Sequence, residues 1–267
     1  MDADLHLHSF ESDGELSPSA LVDVVVDAGV GVLALTDHDT TAGHADARKQ
    51  CAVRGVTFVP GIEMTTYALE RVIHVLGFGF RDGDASLARA CSIARDNFAQ
   101  NQRRWVESLT RDGHDISWER DFAGGAVRLP ALIERLCVRG VEGGDPKRVH
   151  SAFSAFFRAL PASAYAELPT PAAAAATIRT AGGIAVLAHP HRIGEGSGWL
   201  KLLDGMDAIE ANYAAYDRAA QDELCAIARH RGLLTTCGSD YHGYFQGSYV
   251  NPRFEVSAEL LSRLGSF

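Results

Sequence analysis

Short apolar runs separated by amphipathic stretches dominate the first third of the chain. Ala3 to His8 reads as a strand, a helix is predicted over Ser17 to Ala28, and a continuous apolar run follows from Val30 to Leu35. A second helix near Gly43 to Arg54 leads into two strand-like segments, Thr57 to Pro60 and Arg71 to Phe78. Near Arg81 the rhythm changes. From Ala85 to about Leu168 strand signals nearly vanish, and arginines and aromatics recur three or four apart, which predicts helices over Leu87 to Arg111, Leu129 to Arg139 and Pro146 to Leu160. Alternation resumes at Thr170-Pro171, with Pro at a first helical position and an alanine-rich helix ending at Gly182-Gly183. Strands Ile184 to Ala188 and Ala208 to Glu210, a helix from Asp217 to His230 and a strand from Leu233 to Cys237 complete the pattern.

Repeated strand then helix predicts an α/β fold on a parallel sheet, open or closed, interrupted by a helical insertion. With 267 residues the chain is long enough to bury a sizeable core, as one large domain or one carrying an insertion. No apolar run reaches the roughly 18 residues of a membrane span, so no membrane partner is expected. The formal charge of −9 argues against a surface built to neutralise a nucleic-acid backbone, so long nucleic acid is not the expected partner. Five scattered cysteines without C-x-x-C spacing read as thiols of a reducing compartment, and the start of the chain shows no basic segment followed by an apolar one. The cytoplasm is therefore the expected location.

The chemistry gathers where apolar runs end, the edge at which parallel α/β folds assemble their sites. His6 and His8 flank Leu7, so both imidazoles of a strand point to one side. Val32 to Leu35 ends in Thr36-Asp37-His38-Asp39, Phe58 to Pro60 in Gly61-Ile62-Glu63, and Val72-Ile73 in His74. Ala185 to Ala188 ends in His189-Pro190-His191-Arg192, and Leu233 to Thr236 leads into Gly238-Ser239-Asp240-Tyr241-His242. Each residue alone has an ordinary reading as a surface histidine or a helix cap. Together they would be costly to bury without a cation. Nitrogen and oxygen ligands without cysteine suit Mn²⁺, Zn²⁺ or Fe²⁺, and clustered ions bridged by a carboxylate generate the hydroxide that phosphoester hydrolysis requires.

The segments "DLHLHS", "LTDHDT", "GIE", "HVLG", "LAHPHR" and "GSDYH", in this order and spacing, resemble the PHP family, the polymerase and histidinol phosphatase superfamily. The match spans roughly residues 2 to 80 and 170 to 245. It implies a distorted (β/α)7 TIM-like barrel built from 1–80 and 169–267, with a helical insertion, 81–168, acting as a substrate lid. The insertion resembles that of the trinuclear phosphoesterases, among them the 3′,5′-nucleotide bisphosphate phosphatases and a related 5′-to-3′ exoribonuclease. The resemblance implies two or three divalent ions, manganese before zinc or iron: one held by His6, His8, Glu63 and Asp240, a second by Glu63, His74 and His189, a third by Asp13, His38 and His242.

The implied reaction is attack of metal-bound hydroxide on a phosphate monoester, the substrate being a small nucleotide such as a 3′,5′-bisphosphate. Arg192 and Arg128 are placed to meet phosphate oxygens, His191 or His242 to assist the leaving group, and Asp37 and Asp39 to orient His38 or cap a helix. Phe156, Phe157, Tyr165 and Tyr213 are either base-stacking residues or core. Two features depart from the bisphosphate phosphatases: Arg128-Leu129-Pro130 lacks a following histidine, and Phe156 to Tyr165 is shortened and without glycines. Two alternatives stand beside this reading. One is an exonuclease whose substrate follows a groove lined by Arg95, Arg103, Arg104 and Arg111; the other is a metal-binding domain that does not turn over. An amidohydrolase is a weaker option, since no lysine falls at a strand end.

Overall fold

The computed structural model describes residues 2–122, 127–194, 197–243, 254 and 257–264. Seven strands form one sheet in chain order: β1 (Ala3–Asp4), β2 (Val32–Leu35), β3 (Thr57–Ala68), β4 (Arg71–Phe78), β5 (Ile184–Leu187), β6 (Ala208–Tyr213) and β7 (Leu234–Gly238). The sheet curls until its ends meet. Leu5 N donates to Cys237 O at 3.1 Å, Asp240 N to His6 O at 2.9 Å and His8 N to Tyr241 O at 3.0 Å, so the first strand's continuation hydrogen-bonds to the last. The result is the expected α/β architecture, a nearly closed seven-stranded barrel. Ladder pairing of the first strand stops at Asp4 rather than His8 because the segment beyond it is held by these single bonds and an isolated bridge at Leu7.

Two strands differ from the parallel expectation. β3 runs on from Pro60 to Ala68 and returns as β4, which is antiparallel to both β3 and β5. The reversal uses Leu69 and Glu70, both at positive φ (52° and 57°), the paired requirement of a type I′ turn. Glu63 and His74 are thus interior positions of a hairpin rather than strand ends. Since β4 runs backwards, its first half lies at the same rim as the last halves of β3 and β5.

Strand alternation divides the core. Val32, Ala34, Leu76, Phe78, Ile184, Val186 and Ala188 share one cluster inside the barrel. Leu33 and Leu35 face Leu21, Val25 and Cys51 of the helices α1 (Pro18–Asp27) and α2 (His44–Arg54). Past β4 come α3 (Ala85–Arg111), α4 (Trp118–Asp121), α5 (Leu129–Val138) and α6 (Pro146–Ala159), which wrap Trp105, Leu109, Trp118, Leu132, Leu136 and Phe153 into a cluster of their own. The helix starts follow local chemistry. Asp84 accepts from Ser86 N and Leu87 N ahead of α3, Asp145 from Lys147 N and Arg148 N, with Pro146 in the first turn of α6. Helices α7 (Pro171–Thr180) and α8 (Arg218–Arg231) cover β5 and β6, and α9 (Ala258–Leu264), which the apolar pattern did not announce, packs on the inner cluster through Leu260 and Leu264.

Closure of the barrel requires β7 to pass directly over His6. A Cβ at Gly238 would lie 2.1 Å from the His6 Cβ and 2.9 Å from its backbone nitrogen. Gly238→Ala is expected to destabilise the fold by about 1–3 kcal/mol, the usual cost of overpacking, measured by denaturant unfolding. An unchanged midpoint would contradict this close approach.

Candidate metal centre

Six histidines and three carboxylates meet at the rim where the parallel strands end. His6 and His8 follow β1, His38 follows β2, His189 follows β5, and Asp240 and His242 follow β7; Glu63 and His74 come from the hairpin, and Asp13 from the loop before α1. Glu63, 1% exposed, sits between five imidazoles. Its Oε2 lies 3.0 Å from His6 Nε2, 3.1 Å from His8 Nε2 and 3.5 Å from His38 Nδ1, and its Oε1 lies 3.0 Å from His74 Nδ1 and 3.1 Å from His189 Nε2. Asp240 Oδ1 is 3.3 Å from both His6 Nε2 and His8 Nε2. Asp13 takes the third side, with Oδ1 3.4 Å from His8 Nδ1 and Oδ2 3.2 Å from His242 Nε2 and 3.7 Å from His38 Nε2.

Three sets of donor atoms converge within 4.8 Å: His6, His8, Glu63 and Asp240; His38, Glu63 and His74; and His8, Asp13, His38 and His242. The first repeats the expected set. The second holds His38 where His189 was expected, although His189 keeps its contact with Glu63, and the third gains His8. Both shifts have one cause: His8 and His38 lie between carboxylates and turn one ring nitrogen toward each.

The residues fit divalent cations. Both ring nitrogens of His8, Nδ1 of His38 and Nδ1 of His189 are buried and make no hydrogen bond of acceptable geometry. Such groups cost about 1–3 kcal/mol each when left unpaired. Burial would push Glu63 and Asp240 up, but the histidines around them, His6 foremost, hold both carboxyls well below their ordinary range. Burial pulls the His8 imidazolium down, yet Asp240 and Glu63 outweigh it and raise the pKa to about 10, so a proton there stands in for a cation. His38 is brought down to about 3 by burial, reinforced by His74 and His8 against Glu63 and Asp13. Ionised carboxylates and a neutral imidazole are the forms that bind metal. Of the six described non-glycine residues at positive φ, Asp39, His189 and Asp240 belong to this rim, which is where backbone strain is usually stored.

Carboxylates behind the cluster hold it in place. Glu210 receives His6 Nδ1–H at 2.8 Å and the His189 backbone N–H at 2.7 Å, which turns His6 Nε2 toward Glu63. The sequence pattern identified Glu210 only as the end of a short strand. Asp37 does not orient His38: it accepts from Ser9 N at 2.8 Å, Ser9 Oγ at 2.7 Å and Ser12 Oγ at 2.6 Å and shapes the loop that carries Asp13. Asp39 accepts from Thr65 N at 2.9 Å, so it neither orients His38 nor caps a helix.

The expected substrate residues separate. Arg192 Nη1 reaches Asp240 Oδ2 at 3.0 Å. Arg128, just before α5, lies over Phe10 with its guanidinium 4.6 Å from the ring centre and 3.4 Å from Glu11, beside the Asp13 loop. His191 sits apart, its ring against Tyr216 and Trp199 and its Nε2 3.8 Å from Glu223. Phe157 packs on Phe98 and Phe153, with Phe156 beside it, and Tyr165 stacks on Tyr67 and donates to Phe157 O, so these rings serve as core. The insertion does bring one histidine toward the rim. His150, on α6, lies within electrostatic reach of Asp13 and His242, and burial keeps its pKa below the ordinary value despite Asp13.

Residues 4–140 match the PHP domain. The chain belongs to the PHP family. Over 257 residues it is 32% identical to the 5′-3′ exoribonuclease Rnm of Escherichia coli, covering 90% of this chain and 84% of that one. It is 29% identical to the 3′,5′-nucleoside bisphosphate phosphatase of Chromobacterium violaceum, covering 91% and 88%. A solved structure from Bifidobacterium adolescentis superposes with a TM-score of 0.79 at 24% identity over 98% of this chain and 94% of that one, a likeness of fold. Metal-dependent phosphoester hydrolysis is the chemistry of the family and of this chain. Among the described residues no helix is long and apolar enough to cross a membrane.

Divalent ions are expected to stabilise the native chain, by about 2.7 kcal/mol when present at a hundredfold excess over Kd. Glu63→Ala should lose most of that gain in a thermal melt with Mn²⁺ and carry fewer ions by elemental analysis. Full retention of metal would show that the two oxygens of Glu63 do not join two sites.

Proposed function

We propose that this chain hydrolyses a phosphate monoester of a small nucleotide, with a 3′,5′-bisphosphate as the preferred form, using two or three divalent ions of which manganese is favoured. One observation carries the reading: a buried carboxylate shares five imidazoles between its two oxygens, the arrangement of a bridging ligand. Divalent ions held there supply a nucleophilic water at neutral pH and neutralise the charge that develops as a phosphoester bond breaks. Glu63, Asp240, Asp13 and the six histidines would hold them, and Glu210 fixes the tautomer of His6. Arg192 uses Nη1 on Asp240 and Tyr213, and its side chain is otherwise largely exposed, which leaves N–H groups for a phosphate oxygen. All nine inferred ligand positions carry donor side chains, which speaks against a domain that no longer turns over.

In this reading the barrel, 1–80 and 169–267, holds the metals, and the insertion, 81–168, is the substrate lid. Arg95 of α3 donates to the Asp39 carbonyl, Arg128 rests on Phe10, and His150 lies within electrostatic reach of Asp13 and His242, so the insertion approaches the rim at three points. We assign His150, rather than His191, to the leaving-group side. The five cysteines are free, in keeping with a reducing cytoplasmic setting.

The exonuclease reading draws support from the identity to Rnm. Against it, three of the four arginines expected to line a strand groove are engaged elsewhere: Arg103 pairs with Glu107 at 2.8 Å and Glu119 at 2.6 Å, Arg104 with Asn101 at 2.7 Å, and Arg95 with a carbonyl.

Adenosine 3′,5′-bisphosphate and a 5′-phosphorylated oligoribonucleotide, each assayed with Mn²⁺, discriminate the two. We expect release of inorganic phosphate from the bisphosphate with at least tenfold higher kcat/KM, abolished by chelator and restored by Mn²⁺. Stepwise release of mononucleotides from the oligomer at the higher efficiency would favour the exonuclease. His150→Ala should lower kcat/KM on the preferred substrate about tenfold, the worth of one hydrogen bond of about 1.5 kcal/mol, with metal content unchanged. Unaltered kinetics would remove His150 from the site.

A further inference from the structure

Strand β6 carries two side chains to the rim that its alternation should not allow. Glu210 and Tyr213 are three residues apart, and on a regular strand they would point to opposite faces. The register with β7 shifts between Glu210 and Asn212: Glu210 pairs with Thr236, Asn212 with Cys237 and Tyr213 with Gly238. The extra residue of this bulge resets the alternation, so both side chains face the same site. Glu210 goes to His6, and Tyr213 goes to Asp240.

The Tyr213 ring is buried edge-on to His189, with centroids 5.6 Å apart. Its hydroxyl is 2.7 Å from Asp240 Oδ2 and 2.7 Å from Arg192 Nη1. The direction of both bonds follows from the partners. A guanidinium cannot accept and an ionised carboxylate cannot donate, so the hydroxyl donates to Asp240 and accepts from Arg192. Two consequences follow for groups that meet different ligands. Asp240 has Oδ2 occupied and is left with Oδ1 toward His6 and His8, where a cation would bind. Arg192, whose side chain is 59% exposed, is anchored by one nitrogen and keeps its other N–H groups for a ligand.

We propose that Tyr213 is a positioning residue that makes one unit of Asp240 and Arg192, so that a single hydroxyl sets both the metal ligand's orientation and the arginine's hold on the substrate phosphate. The proposal rests on the phosphoesterase reading above. It places the bulge of β6 in the catalytic architecture: without the extra residue the ring would point away from the rim.

The test is a binding cycle on the full chain with wild type, Tyr213→Phe, Arg192→Gln and the double variant, reading Mn²⁺ affinity and inorganic phosphate affinity of the Mn²⁺-loaded protein by titration calorimetry. Tyr213→Phe is expected to weaken Mn²⁺ binding at least tenfold, the range for loss of a partner behind a metal ligand. It should also weaken phosphate binding about as much as Arg192→Gln does, with no further loss in the double variant. Arg192→Gln keeps the bond from Tyr213 to Asp240 and should hold Mn²⁺ within about threefold of wild type. Wild-type affinities in a folded Tyr213→Phe, or phosphate losses that add in the double variant, would overturn the proposal. Should Tyr213→Phe fail to fold, loss of Mn²⁺ affinity in Arg192→Gln equal to its loss of phosphate affinity would overturn it instead. Because both readouts are binding, a wild-type chain that turns over no nucleotide would sink the phosphoesterase reading while leaving this cycle to report on its own.

Discussion

Everything at the rim depends on Glu63 being both buried and ionised. A lone carboxylate moved out of water would normally take up a proton, because solvation of the charge is lost and nothing replaces it. Here five imidazoles replace it, and the burial penalties of His6 and His8 are relieved in turn by Glu210, Asp240, Asp13 and that same carboxylate. The arrangement is mutually dependent: no member can be removed without leaving another uncompensated. A cation satisfies all of them at once, since it leaves the carboxylates ionised and needs the imidazoles neutral. The strained backbones of His189 and Asp240 are tolerated on the same basis, each held by a bond to the core, His189 N to Glu210 and Asp240 N to the carbonyl of His6.

The fold that delivers these groups was legible where chemistry is local. Apolar runs followed by His or Asp mark strand ends, and Pro or Asp before an amphipathic stretch marks helix starts, so most elements fall within a residue or two of expectation. The antiparallel hairpin was not legible. Its turn is Leu69-Glu70, which carries none of the Gly or Asn that normally announces positive φ, and its strand extends through polar residues that look like loop. Helix α9 was missed for the opposite reason: seven residues are too few for a period to emerge.

The site shows the same division. Eight of the nine candidate ligands sit beside apolar runs, so the sequence points to them directly, whereas Asp13, in Ser12-Asp13-Gly14, reads as a turn residue and enters only through the family resemblance. Glu210 and Tyr213 are different, because what makes them useful is a bulge that no composition signals, and with regular alternation at most one would face the metals. His150 lies on a helix whose only visible property is amphipathicity, and its nearness to Asp13 comes from how the insertion docks. His191 is the converse case. It follows His189 by two residues, as His8 follows His6, but the chain has already turned into a short 3₁₀ helix, which carries the second ring toward Tyr216.

That asymmetry bears on substrate choice. The metal floor recognises little beyond a phosphate group, because its ligands see oxygens and charge, and the relatives that share the fold include both a nucleotide phosphatase and an exoribonuclease. Discrimination between a small nucleotide and a strand end therefore has to come from what surrounds the phosphate. In this chain five of the insertion's arginines are taken up by other partners: Arg103 by Glu107 and Glu119, Arg104 by Asn101, Arg120 and Arg139 by Asp121, and Arg95 by the barrel's own backbone. A continuous strand needs a row of cations at the spacing of its phosphates, each free to meet one. Two arginines stand at the cluster's carboxylates instead, Arg192 bonded to Asp240 Oδ2 and Arg128 over Phe10 beside the loop that carries Asp13, and it is on these two that the proposed preference for a small bisphosphate rests.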